Sequence, residues 1–93
     1  MEVYILQKIL PNDKTEPVGV FTSACNTKRE IIKAYNEVIK QFEDEEYDLT
    51  VELSIDALNR LKKEISDLDV KSLKVGETLQ TVYFKITKLM LRP

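Results

Sequence analysis

The sequence predicts a small α+β domain: a mainly antiparallel four-stranded sheet with two helices packed on one face, in the chain order ββαβαβ. Two stretches repeat apolar residues at helical spacing, and four stretches alternate or concentrate strand-forming residues. Turn residues separate most of these stretches. Because 93 residues suffice for one modest core and no internal repeat or low-complexity linker interrupts them, we expect residues 1–93 to form a single domain.

The first two strands are predicted from alternation and from the loop between them. Residues 1–10 alternate apolar side chains on both faces and are rich in strand formers, which predicts a largely buried strand. Residues 11–17 contain two prolines and typical turn residues, so we expect a loop there. Residues 18–23 then predict a return strand and an antiparallel hairpin, in which Gly19 marks a bulge or the close approach of a neighbour.

The first helix is predicted over residues 27–44. Thr27 and Glu30 have the spacing of a capping box, in which each side chain accepts a hydrogen bond from the other residue's backbone amide. Apolar residues follow at helical spacing, which predicts one buried face. The acidic residues from Glu43 onward lie where the helix dipole is negative, so we expect the helix to end near residues 42–44.

A third strand and a second helix are predicted next. Residues 49–55 alternate apolar and polar side chains, which predicts a short strand with one solvent-exposed face. From residue 56 the spacing becomes helical, so we expect a helix over residues 56–67 with Ser54 or Asp56 as its cap.

The carboxyl-terminal part of the chain predicts a loop and the last strand. Residues 69–77 have no sustained period and contain Gly76, which predicts a loop. Residues 79–91 predict the last strand, and Lys88 on its apolar side suggests a bulge or a turned end. The first and last strands are the most apolar, so we expect them side by side at the centre of the sheet.

The residue inventory is poor in catalytic groups. The chain has no histidine, a single cysteine and two isolated glycines, which leaves out Cys–His and Ser–His catalysis, the usual zinc sites and Gly-rich phosphate loops. We therefore expect no enzymatic activity, no catalytic or metal-binding residue and no cofactor, although a carboxylate or lysine enzyme stays open. Cys25 precedes the predicted helix, where we expect a small, partly buried residue rather than a nucleophile.

The most concentrated chemical feature is an acidic run. Residues 43–69 carry ten acidic and three basic side chains, against an overall net charge of −2. The run has three interpretations: a solvated helix end, a surface that binds a protein partner in the way that DNA phosphates bind a basic cleft, and a metal site. Its spacing does not match the calcium-binding loop. Five residues form the candidate partner-binding site: Glu43, Asp44, Glu45, Glu46 and Asp48.

An alternative site is predicted on the sheet face opposite the helices. If the expected registers hold, Tyr4 and Lys8 on the first strand lie beside Tyr83, Lys85 and Thr87 on the last. Aromatic rings interleaved with lysines can stack on bases and contact phosphates, so a nucleotide or single-stranded nucleic acid is the alternative ligand. An ordinary solvent-exposed face, where tyrosines cover apolar neighbours, is the competing interpretation.

The sequence also bears on location. No run of about 18 apolar residues is present, so we expect no membrane association. The amino-terminal stretch alternates and contains Glu2, unlike a secretory signal, and a lone cysteine suits a reducing compartment. We therefore expect a cytoplasmic protein.

The first half of the chain resembles a group of small proteins of viral origin. The segments VYILQKI, VGVFTS and KREIIKAYNEVIKQ look like the strand, polar loop, strand and helix with which many small phage and prophage accessory proteins begin. The resemblance implies an accessory protein of a phage or mobile element, and inhibitors of host defence are frequent among these. It would then act in the host cytoplasm by binding a host protein, such as a nucleic-acid-handling enzyme. Exposed sheet edges pair readily, so a homodimer stays open.

Overall fold

A computed structural model describes residues 1–46 and 48–92 of the chain. It confirms the α+β class, with four antiparallel strands in one sheet and two helices. In chain order, both helices follow the second strand and precede the third. The elements are β1 (Glu2–Ile9), β2 (Thr15–Phe21), α1 (Ala24–Glu43), α2 (Leu49–Asp67), β3 (Thr78–Gln80) and β4 (Phe84–Met90). A single turn of 3-10 helix, Val70–Ser72, lies between α2 and β3.

The chain divides into two compact units. The sheet unit comprises residues 1–27 and the chain from residue 69 onward, and it holds all four strands. The helical unit, Lys28–Leu68, holds α2 and most of α1.

The strand order is β2-β1-β4-β3, which confirms that the first and last strands of the sequence lie side by side at the centre. In the β1–β4 register Tyr4 lies opposite Lys88 and Leu6 opposite Ile86. Residues directly opposite each other share a face of the sheet. The buried face contains Tyr4, Leu6, Phe84, Ile86 and Lys88.

The β1–β2 hairpin has the irregularity that its glycine predicted. The pairing shifts between Leu6 and Gln7, because Leu6 lies opposite Gly19 and Gln7 opposite Pro17. A Cβ atom at Gly19 would lie 3.1 Å from the Phe21 ring, which is tighter than an ordinary contact. Gly19 therefore lies beside a β-bulge and leaves room for the Phe21 ring.

Helix α1 begins at Ala24, earlier than predicted, and the expected capping box at Thr27 is wrong. The Ser23 hydroxyl oxygen accepts a hydrogen bond from the Asn26 amide nitrogen at 3.0 Å, which is what an N-cap side chain does. Thr27 lies within the first turn and is fully buried, and its hydroxyl donates to the Ser23 carbonyl oxygen at 2.8 Å. The helix ends at Glu43, inside the predicted range.

The predicted strand over residues 49–55 is wrong, because these residues form the first two turns of α2. Val51 and Ile65 are buried, whereas Leu49 and Leu53 are 68% and 58% exposed. A strand would have placed Leu49, Val51 and Leu53 on one face, but a helix turns the two leucines away from Val51. The cap is Asp48 rather than Ser54 or Asp56, and the predicted end at Asp67 is confirmed.

The predicted last strand over residues 79–91 is a hairpin rather than one strand. β3 and β4 pair around a turn in which the Thr81 amide nitrogen donates to the Phe84 carbonyl oxygen at 2.8 Å. The Thr81 hydroxyl oxygen accepts from the Phe84 amide nitrogen at 3.1 Å, so one side chain closes the turn without glycine or proline. Before β3, Gly76 has a φ of 90°, a conformation that favours glycine.

Candidate interaction surface

The acidic run lies within the helical unit, in the segment that joins α1 to α2. Glu43 is the last residue of α1, and the chain turns immediately after it. The Asp44 amide nitrogen donates to the Lys40 carbonyl oxygen at 3.1 Å, and the Glu45 amide nitrogen donates to that of Phe42 at 3.2 Å. We call the four exposed acidic residues of this turn the acidic connector: Glu43, Asp44, Glu45 and Glu46.

Asp48, the fifth predicted site residue, is exposed but has a structural task. Its backbone is extended, with φ −139° and ψ 178°, and its carboxylate accepts a hydrogen bond from the Val51 amide nitrogen at 2.9 Å. The side chain thereby satisfies one of the amides that the first turn of a helix leaves unpaired. Asp48 is therefore an N-cap, which sets it apart from the four residues of the acidic connector.

The negative charge of the segment is not balanced by neighbours in sequence. Residues 43–59 contain seven acidic side chains and no lysine or arginine. Two lysines of the helical unit bind elsewhere: Lys28 donates to the Ser66 and Leu68 carbonyl oxygens at 2.7 and 2.8 Å, and Lys62 donates to the Asn36 side-chain oxygen at 2.8 Å. Lys28 thereby neutralises the carbonyl end of α2, where a cation is favourable.

Sequence reasoning missed an exposed apolar feature next to this charge. Leu49 and Leu53 lie four residues apart in the first turns of α2, so they are neighbours on one face of the helix. We call these two residues the leucine pair. The available signal was the helical spacing of Val51, Ile55 and Leu58, which competes with the alternation of residues 49–55.

The four residues of the alternative site do not lie on one face of the sheet, so the prediction of a shared face is wrong. Tyr4 and Lys8 share a face with Phe84, which lies opposite Lys8. Lys85 lies opposite Gln7 and points to the other face. Tyr83 precedes β4, is 45% exposed, and its carbonyl oxygen accepts from the Ile9 amide nitrogen at 2.8 Å.

Tyr4, one of the two tyrosines predicted for that site, is buried. Only 6% of Tyr4 is exposed, and the Lys88 ammonium lies 5.4 Å from the centre of its ring. Glu2 forms an ion pair with Lys88, with 3.2 Å between the carboxylate oxygen and the ammonium nitrogen. This cluster keeps a lysine on the buried face without the predicted bulge, and β4 continues to Met90.

The Lys88 cluster also sets the charge state of the lysine. Loss of solvent contact lowers the pKa of Lys88, but hydrogen bonds with Glu2 and Tyr4 and their charges outweigh it. The net pKa of Lys88 is raised, so the ammonium form is favoured. A lysine held in this way is a structural cation and a poor nucleophile.

Cys25 is exposed rather than partly buried. Among residues 1–46 and 48–92, no three histidine, cysteine or acidic side chains are grouped closely enough to hold a metal ion. In the same residues, neither helix is both long enough and apolar enough to cross a bilayer.

Comparison with known proteins adds no assignment, because no family model, no curated protein and no solved structure was found to match the chain.

Proposed function

We propose that this chain is a non-enzymatic interaction protein whose acidic connector binds a basic surface of a protein partner. The supporting observation is four neighbouring exposed carboxylates at a helix–helix turn, in a stretch of 17 residues without a basic side chain. Such a surface raises association rates with a positively charged partner and repels nucleic acid and anionic membranes. The partner class is a host protein with a basic cleft or groove, including an enzyme that handles nucleic acid.

The proposed source is a phage or mobile element. It is supported by the likeness of the strand, loop, strand and helix at the amino end to small phage accessory proteins. Under this proposal the protein modulates or inhibits a host protein, with defence proteins as the first targets to examine.

The test compares proteins captured by the wild-type chain with those captured by two variants of equal charge. One variant neutralises the acidic connector through Glu43→Gln, Asp44→Asn, Glu45→Gln and Glu46→Gln. The control neutralises four exposed carboxylates elsewhere through Glu16→Gln, Glu37→Gln, Glu64→Gln and Asp67→Asn. Asp48 is left unchanged in both because it caps α2.

The proposal expects a protein that wild type and control capture from a bacterial lysate and that the connector variant loses. With the purified pair, the connector variant should associate at least about tenfold more slowly at low salt, and the difference should shrink at high salt. Equal capture by all three chains would show that the acidic connector does not bind the partner.

A second candidate function is favoured by one grouping in the sheet unit. Lys8, Tyr83 and Lys85 lie at the same end of the central strands, since Lys8 pairs with Phe84 and Gln7 with Lys85. Lys8 and Lys85 point to opposite faces of the sheet, so they and the half-exposed Tyr83 share a strand end rather than a face. An aromatic residue and two lysines at one strand end suit a nucleotide or the end of a single-stranded nucleic acid. Titration with nucleotides and short oligonucleotides should then shift the amide resonances of these residues, and unchanged spectra would exclude this function.

A further inference from the structure

The leucine pair departs from the pattern of the rest of α2. Apart from the leucine pair and Ala57, every exposed residue of α2 is polar, among them Thr50, Glu52 and Asp56. A solvent-facing helix surface is normally polar, and single exposed leucines are unremarkable on a protein surface. Two leucines four residues apart, each more than half exposed, form a continuous apolar spot.

The apolar spot has an acidic surround. Glu52 and Asp56 lie three and seven residues after Leu49, which places both on the face of the leucine pair. The acidic connector immediately precedes α2 in the chain. An apolar centre with a polar rim is the general anatomy of a protein–protein interface. Here Glu52, Asp56 and the acidic connector outnumber Arg60, the basic residue that lies seven positions after Leu53.

We infer that the leucine pair is the centre of a docking site for a basic amphipathic helix of the partner protein. This inference rests on the proposed function and adds the class of segment that is bound. Leucines one turn apart form a ridge that fits between apolar side chains repeating every three to four residues on a facing helix. Charge complementarity favours lysine or arginine beside that apolar stripe, because acidic residues outnumber basic ones around the leucine pair.

The experiment uses a synthetic peptide as a defined probe of this chemistry. The probe has about 18 residues, with leucines every three to four positions and lysine or glutamine elsewhere, so that it presents one apolar stripe with basic flanks. A second peptide has the same composition in an order without an apolar stripe. Affinities for both are measured by calorimetry or fluorescence anisotropy with the full chain.

Three variants separate apolar docking from charge attraction. The first carries Leu49→Gln and Leu53→Gln, which keep good helix formers at exposed positions. The second is the connector variant described above. The third, Val82→Gln, replaces an equally exposed apolar residue in the β3–β4 turn and serves as the matched control. Circular dichroism verifies that each variant keeps its helix content.

The inference expects the striped peptide to bind at least about tenfold more tightly than the reordered peptide. The leucine variant should lose at least about tenfold in affinity for the striped peptide, while Val82→Gln stays within about twofold. Equal binding of both peptides, lost only in the connector variant, would overturn the helix-docking inference and leave the acidic-surface function standing. Binding of neither peptide would overturn the inference, and partner capture decides the proposed function separately.

Discussion

The Asp48 cap is the feature whose removal gives the sharpest test of the helical unit. In Asp48→Ala, the Val51 amide nitrogen loses the carboxylate that accepts its hydrogen bond at 2.9 Å. Losing an N-cap side chain typically costs about 1 kcal/mol, within a range of about 0.5–2 kcal/mol. For a chain of this size, about 1 kcal/mol lowers the midpoint of thermal unfolding by roughly 4–8 °C. We therefore expect Asp48→Ala to have a Tm lower than wild type by about this amount, measured from the loss of the helical circular dichroism signal on heating.

Two further variants show whether the hydrogen bond or the charge is responsible. Asp48→Asn removes the charge but keeps an oxygen that can accept from the Val51 amide, so it should retain most of the stability. Asp44→Ala removes a charge from the acidic connector at an exposed position and should change the free energy of unfolding by less than about 0.5 kcal/mol. If Asp48→Ala and Asp44→Ala have equal Tm values, or if Asp48→Asn is as unstable as Asp48→Ala, the capping argument is wrong.

Three other outcomes follow from the structure. Val51→Ala should cost about 1.5–2.5 kcal/mol and Leu53→Ala less than about 1 kcal/mol in urea unfolding, because only Val51 is buried; equal costs would favour a strand at residues 49–55. Gly76→Ala should destabilise by about 1 kcal/mol, because an alanine at φ 90° is strained although its Cβ would have open space; an unchanged urea midpoint would contradict this. The raised pKa of Lys88 implies stabilisation that is complete below the ordinary lysine pKa of about 10.4 and is lost as pH rises through the folded value. Between about pH 9 and 12, the range that brackets this titration, the Tm of wild type should therefore fall more steeply than that of Lys88→Gln; parallel curves would refute the assignment.

The β1–β2 hairpin and the central β1–β4 pair could be predicted well because their signals are local and do not compete, whereas the turn between β3 and β4 has no glycine or proline and was missed. Two prolines in residues 11–17 permit little other than a loop, so the β1–β2 hairpin follows from turn chemistry alone. The central placement of β1 and β4 follows from their apolar content, since central strands have no solvent-exposed edge. Gly19 also gave a local signal, because a glycine inside a strand usually marks a bulge or a close neighbour.

The helical unit and the alternative site were predicted less well, for two physical reasons. Val51 and Ile55 satisfy both a period of two and a helical step of four, so alternation over residues 49–55 cannot distinguish strand from helix. The helical spacing continues to Leu58 and the cap is Asp48, but an aspartate inside an acidic run gives no distinct signal for a helix start. The shared face of the alternative site was predicted wrongly because strand register decides which residues share a face, and register depends on pairing between distant parts of the chain.

The placement of the acidic connector favours a binding role over a stabilising one. Its carboxylates lie at the last residue of α1 and just after it, where the helix dipole is negative, and Lys40 is the only basic residue in the last turn of that helix. An unfavourable charge in the last turn costs about 0.3–1 kcal/mol at low ionic strength and less in salt, and the effect falls off beyond that turn, so Glu45 and Glu46 contribute little. By contrast, Asp48 and Glu52 lie at the start of α2, where the same dipole favours negative charge.

This asymmetry predicts opposite effects on stability and on binding. The connector variant, with Glu43, Asp44, Glu45 and Glu46 neutralised, should be as stable as wild type or more stable by about 0.5–1 kcal/mol at low salt, with the gain shrinking as salt is added. The same variant should lose the partner. Urea unfolding at two salt concentrations, run beside the capture experiment, measures both effects. A large loss of stability would show that these carboxylates hold the turn together, and the reason for assigning them to a partner would then disappear.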